Sequence, residues 1–233
     1  MAKGEIISYF EMCQREGTSL QRGMNFRLRG RHSVILMSRR ANAHYADRIE
    51  EDGTVLIYEG HDVPKTADTP VPKILDQLPF LPSGRFTENG KFANAASQFK
   101  DGKKGADIVR VYEKLHKGIW ADNGYFHLVD SWQEADDRRS TFKFKLLAVD
   151  IEEDDQGAEA APLDETQRRR LIPSVVKQTV WKRDQGQCVK CGATSELHFD
   201  HVLPFSKGGT SLTADNVQLL CARHNLQKSA RIE

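Results

Sequence analysis

"CVKCGATSELHFDHVLPFSKGGTSLTADNVQLLCARHNLQK", residues 188–228, holds three of the four cysteines in the chain. Chelating pairs stand at its two ends, Cys188-x2-Cys191 and Cys221-x2-His224. Two residues apart in a tight turn, both side chains of a pair can reach one ion. Two such pairs supply four N/S ligands for a closed tetrahedral zinc site. The alternative reading of the same residues is buried thiols with a surface histidine. The fourth cysteine, Cys13, stands far away, and an odd cluster of three argues against a disulfide framework. Zinc would stabilise a module too small to hold together by its own apolar burial.

Working outward, "PSVVKQTVWKRD" (173–184) reads as a helix with Pro173 in its first turn. The knuckle follows, then an apolar strand, "LHFDHVLP" (197–204), and the loop "FSKGGTSLTADN" (205–216). "NVQLLCARHNLQKSAR" (216–231) reads as a final helix that completes a β-hairpin and helix.

With Asp200-His201 on the hairpin, Asn216 in "TADNVQLLC" and Asn225 in "CARHNLQK", residues 181–228 resemble the HNH nuclease family. The resemblance implies a ββα-metal fold and hydrolysis of phosphodiesters. It gives His201 the role of general base, for which an unperturbed pKa of about 6.5 suits neutral pH. It gives Asn216 the task of fixing the hairpin loop and orienting the imidazole. Asp200 and Asn225 would hold one hard divalent ion, Mg²⁺ or Mn²⁺, so that the two cations sort by ligand hardness. His198, two residues before Asp200, shares its face of the strand and reads as a partly exposed bystander. Arg223, Lys207 and Lys228 are candidates to meet phosphate.

The bulk numbers fit a globular protein acting on a polyanion. The net charge of +1 conceals an asymmetry: residues 150–165 carry eight acids and no base, while residues 166–233 carry eleven Lys/Arg against five Asp/Glu. A basic end beyond an acidic connector suggests a linker and then a module that meets phosphates, although charge alone also fits a solvated surface run. No apolar run approaches the roughly 18 residues of a membrane span, and the start shows no export signal. A cytoplasmic protein without membrane contact is expected.

The first two-thirds reads as strands at 33–37, 54–58, 108–115, 124–132 and 141–150, with one helix at 90–102. Residues 62–90 hold five prolines and read as a long surface loop. "VRVYEKLHKGIWADNGYFHLVDSWQEADDRRSTFKFKLL" (109–147), preceded in order by "GMNF" (23–26), "HYADRIEEDGTVLIYEG" (44–60) and "NGKFANAASQFKDG" (89–102), resembles the SRA, or YDG, domain. Here "ADNG" (121–124) stands in place of "YDG" with one extra residue. The fold class implied is α+β: an N-terminal SRA-like (PUA-like) twisted β-barrel with flanking helices, plus a C-terminal ββα-metal HNH module with a zinc knuckle.

SRA domains bind duplex DNA and flip a modified cytosine into a pocket. Carried over, Tyr45 and Tyr58 would sandwich the base, and Asp47 would accept from its exocyclic amine. The residues alone also permit core packing for either tyrosine and an exposed turn for Asp47. His61 is a further candidate to reach a 5-substituent or phosphate.

The resulting expectation is a modification-dependent DNA endonuclease, similar to SRA–HNH type IV restriction enzymes. Residues 1–150 would read modified cytosine, 151–170 would link, and 171–233 would cut, restricting modified foreign DNA. One methyl group in a fitted pocket is worth about 10–200-fold, a small margin for sparing the host genome, so dimerisation is expected as added control. The alternatives are an HNH endonuclease indifferent to modification and a reader of modified DNA with an inactive tail.

Overall fold

The structure is a computed structural model, and it describes residues 4–39, 43, 45–50, 53–67, 69–150, 171–203 and 208–228. The expected linker 151–170 lies outside the described residues, as does Lys207. Among the described residues, ten strands and four α-helices follow in the order β1 (Ile6–Ser8), α1 (Tyr9–Glu16), β2 (Met24–Asn25), β3 (Ser33–Met37), β4 (Arg48–Glu50), β5 (Val55–Glu59), α2 (Glu88–Lys100), β6 (Asp107–His116), β7 (Ile119–Ala135), β8 (Ser140–Val149), α3 (Ser174–Arg183), β9 (Leu197–His201), β10 (Val217–Cys221) and α4 (Ala222–Lys228). The result is a mixed α+β fold.

β1 to β8 form one sheet in the order β2-β3-β6-β7-β8-β5-β4, with β1 added to β7. All its described pairings are antiparallel except β3 with β6. β-Branched and aromatic residues dominate the central strands, and α2 covers one face. Thr87 caps that helix by accepting from the Gly90 N–H, and Phe92, Ala95 and Ala96 pack on Val109, Phe126, Phe144 and Leu146. Each fully buried large side chain of this kind stabilises by about 1.5–3 kcal/mol. The proline-rich segment before α2 is irregular, with one short 3₁₀ turn at Pro72–Ile74 and a bridge between Phe80 and Phe86.

α1 is an element not expected from the sequence. Ser8 accepts from the Glu11 N–H while the Glu11 carboxylate accepts from the Ser8 N–H, a reciprocal cap. Gly17 ends the helix in the left-handed region, φ +66°.

β9 and β10 form a second, two-stranded sheet, with Asp200 opposite Gln218 and His201 opposite Val217. This corrects the expected helix from residue 216. Val217, Leu219, Leu220 and Cys221 are all buried, and the ladder to β9 uses their backbone groups, so helix begins only at Ala222. Tertiary pairing outweighs the helical look of "NVQLLC".

The two sheets share an apolar cluster. Ile6, Leu115 and Ala121 pack with Ile172, Val176, Val180, Phe199 and Leu219. Lys177 of α3 is buried, and its ammonium donates to Glu113 Oε2 at 2.7 Å and Asn123 Oδ1 at 2.5 Å. Among the described residues, no helix is long and apolar enough to cross a membrane.

Candidate functional site

The knuckle is set by short-range backbone bonds. The Gly192 N–H donates to Cys188 O at 2.8 Å, the Cys188 N–H donates to Ala193 O at 2.8 Å, and Gly192 adopts φ +73°. β10 then delivers Cys221, and the first turn of α4 delivers His224. The ligand atoms of Cys188, Cys191, Cys221 and His224 all lie within 4.8 Å of one another. Both Cys188 Sγ and Cys221 Sγ are 3.4 Å from His224 Nδ1, and Cys191 Sγ is 3.9 Å from Cys221 Sγ. Zinc–sulfur bonds of about 2.3 Å in a tetrahedron place sulfurs about 3.8 Å apart, so these separations fit zinc without rearrangement. Burial alone would raise the Cys188 thiol. Backbone donors from Cys221, Lys190 and Cys191, with the His224 ring, instead bring it down to about 6.

Asp200 and His201 occupy the last two positions of β9, both half-buried. His201 Nε2 lies 2.9 Å from the buried Ser211 hydroxyl. Burial lowers the His201 imidazole, with Asp200 opposing, so the ring is neutral near pH 7. The Asn216 side chain accepts from the Leu203 N–H and donates to the Leu203 and Thr210 carbonyls, at 2.8, 3.1 and 2.8 Å. It thereby clamps the two ends of the β9–β10 loop. Gly209 is required beside it, because a Cβ there would lie 1.8 Å from Leu203 O. Asn225 is half-buried on α4, directly after His224, and its side chain makes no hydrogen bond among the described residues.

Two expectations need correction. His198 is buried rather than partly exposed, because β9 lies against the chain at Gly4–Glu5: His198 bridges Glu5, and the Phe199 N–H donates to Gly4 O at 3.0 Å. Lys228 is also buried, so it is not a surface phosphate contact; its ammonium lies 2.8 Å from Asp200 Oδ2. Ser211 and Gln218 are site neighbours that motif spacing did not single out, and Lys228 joins them in a role other than the phosphate contact expected of it. Only the positions of Gln218 and Lys228, opposite Asp200 and one helical turn after Asn225, hint at them.

In the larger sheet, β5 and the residues before β4 bring Tyr45 and Tyr58 against His61, with Asp47 at the backbone of Glu59. Tyr45 stacks on His61, with centroids 4.9 Å apart and planes 6° from parallel, and the Lys73 ammonium sits 4.0 Å from the Tyr45 centroid. Tyr58 is fully buried in the core, its hydroxyl 2.8 Å from His61 Nε2. Burial holds the His61 ring down to about 4, uncharged at neutral pH. Asp47 is buried and accepts from the Glu59 N–H at 3.1 Å and the Ser38 N–H at 3.4 Å. Burial outweighs these bonds and lifts its carboxyl to about 7. Beside it, Glu59 pairs with Arg139 and Lys143 at 3.2 and 2.9 Å.

Residues 188–231 match the family model of HNH endonucleases. The C-terminal hairpin and helix are thus an HNH module. Among solved structures, the chain is similar to the SUVH5 SRA domain in complex with methylated CHH DNA (20% identity, TM-score 0.42, 69% of this chain and 94% of that one). It is also similar to ScoMcrA, a type IV phosphorothioation-dependent restriction endonuclease (16% identity, TM-score 0.43, 99% of this chain and 55% of that one). SUVH9 matches at 16% identity and TM-score 0.44, over 80% of this chain and 33% of its own. No curated protein matches the chain.

Proposed function

We propose that the protein is a DNA endonuclease in which residues 1–150 read a modified cytosine in duplex DNA and residues 171–233 hydrolyse the phosphodiester, joined by the acidic segment 151–170. One observation carries this reading. Asp200, His201 and Asn216 gather at one hairpin end, within the segment that matches HNH endonucleases and beside a Cys3His cluster of zinc dimensions.

The sulfur-rich cluster would hold structural zinc. Asp200 and Asn225 offer only oxygen donors and a partly open face, which suits one Mg²⁺ or Mn²⁺ with water and phosphate completing its shell. When bound, that ion offsets charge on the phosphate and the leaving oxygen. His201, neutral near pH 7, takes the proton from the attacking water. Ser211 holds its Nε2, which leaves Nδ1 for the transfer. Asn216 keeps the loop, and with it the imidazole, in place.

On the reader side, Tyr45 and Tyr58 would sandwich the flipped base and Asp47 would accept from its exocyclic amine. Seating a base on Tyr45 requires the His61 stack to open, and base–aromatic stacking compensates part of the unstacking cost. A homodimer would supply the second centre for a double-strand break. The setting proposed is the cytoplasm.

The test is a digest of duplexes that differ only in cytosine: unmodified, 5-methyl and 5-hydroxymethyl, with the zinc-loaded full chain and Mg²⁺. Cutting confined to a modified duplex is expected. Equal cutting of all three would favour a nuclease indifferent to modification, and binding without cutting a reader with an inactive tail.

A further inference from the structure

Lys228 ends the described part of α4, and its side chain is 1% exposed. A lysine is almost never buried without a partner that compensates its lost hydration. Here there are two. The ammonium lies 2.8 Å from Asp200 Oδ2 and donates to the backbone carbonyl of His201. Gln218 Nε2, across the ladder, donates to the same Asp200 oxygen at 3.4 Å. Both donors converge on Oδ2, and among the described residues nothing bonds to Oδ1. The carboxylate itself remains partly exposed.

We propose that Lys228 is a positioning residue for the divalent-ion site: it holds Asp200 by Oδ2, so that Oδ1 alone faces the ion, and it ties the backbone of His201 to α4, the helix that carries Asn225. This inference rests on the reading of Asp200 and Asn225 as the ligands of a hard cation. The geometry supports it in two ways. Residues 225 and 228 stand three apart on one helix, so they lie on one face and move together. A single ammonium therefore fixes the gap between strand and helix that the two ligands must span. A carboxylate engaged on one oxygen also binds monodentately, in an orientation set before the ion arrives.

The rival role is a resident stand-in, in which the ammonium occupies the place of the ion and leaves when the ion binds. The two roles predict opposite signs. Removing a stand-in tightens cation binding, whereas removing a positioning group weakens it. The probe is Mn²⁺ titrated into the zinc-loaded full chain without DNA, with the free-ion electron paramagnetic resonance signal giving Kd. For Lys228→Met, an apolar side chain of similar length, the Mn²⁺ Kd should rise about 10–100-fold while zinc content and melting temperature are kept. Lys228→Arg, which restores the charge and the donors, should recover most of the affinity. Gln218→Leu should raise Kd by a smaller factor and serves as the readout if Lys228→Met does not fold. An unchanged or tighter Kd in a folded Lys228→Met protein, or in Gln218→Leu when that variant stands in, would overturn the proposal. A wild-type chain that takes up no Mn²⁺ would instead remove the ligand reading itself, and the inference with it.

Discussion

The two candidate sites differ in how ready they are. In the C-terminal module, three sulfurs and a ring nitrogen already stand at zinc separations, and Asn216 already clamps the loop that follows His201. In the larger sheet, the groups proposed to receive a base are engaged with one another: Tyr45 lies flat on His61, Tyr58 is sealed in the core, and Asp47 accepts from two backbone N–H groups. The contrast follows from sequence distance. Ligands two residues apart in a turn are placed by local backbone geometry. A pocket assembled from positions 45, 47, 58 and 61 depends on a sheet whose partners come from far along the chain, as Tyr58 pairs with Phe144. One site is built to hold its shape; the other has to open.

The largest effect should come from breaking the prepared site. Structural zinc contributes about 10–16 kcal/mol of apparent binding energy in small zinc modules, and that energy is folding energy. Cys191→Ser or strong chelation should therefore unfold residues 173–228, read as lost hydrogen-exchange protection there, while elemental analysis falls from about one zinc per chain to none. A zinc-free chain with full protection would contradict the four-ligand cluster. His201→Ala comes next. Cutting should fall about 10²–10⁴-fold, the range for removing a general base, with affinity for modified duplex near normal. A parallel collapse in affinity would merge the two regions the account keeps apart.

The joint between them gives a third test. Lys177→Met would leave the buried Glu113 without its cation, although burial pushes that carboxyl up and the Lys177 ammonium, with the Asn123 amide, holds it ionised. Breaking a buried pair in this way costs about 3–5 kcal/mol, to be read as a drop in denaturant midpoint. An unchanged midpoint would mean that the module is not seated through this pair.

The smallest predicted effects belong to the pocket. Asp47→Ala should reduce discrimination between modified and unmodified duplex by about tenfold, within the 1–3 kcal/mol range of single pocket contacts. The raised Asp47 pKa also sets a pH dependence. Between its unfolded value near 4 and about 7, the folded chain keeps a proton that the unfolded chain has lost, so stability declines as pH rises through that window and levels off above it. Asp47→Asn should flatten that decline, which is on the order of 1.4 kcal/mol per pH unit at its steepest. Binding should show the opposite trend, strengthening from pH 6 to 8 as the carboxylate ionises and becomes a better acceptor. A pH-independent affinity would take Asp47 out of the pocket.

Much of this was legible in the sequence, and unevenly so. The strands at 33–37 and 141–150 and the helix around Phe92 and Phe99 follow directly from residue type and period. So does the zinc cluster, whose spacing is local. α1 carried a readable signal in Ser8, Glu11 and Gly17 that the apolar pattern of its neighbours obscured. β10 was misread because "VQLLC" has no alternation; three consecutive buried residues make sense only once β9 and α3 cover both of its sides. Lys228 and Lys177 were illegible for a different reason. A lysine looks like surface until its carboxylate partner, 28 or 64 positions away, is brought against it.

The most direct measurement is anomalous diffraction at the zinc and manganese edges from crystals of the zinc-loaded chain soaked in Mn²⁺. The account predicts two separate peaks: zinc within Cys188, Cys191, Cys221 and His224, and manganese on Asp200 Oδ1 and the Asn225 side chain. Manganese absent from Asp200, or Asn225 turned away from it, would contradict the nuclease centre on which the rest depends.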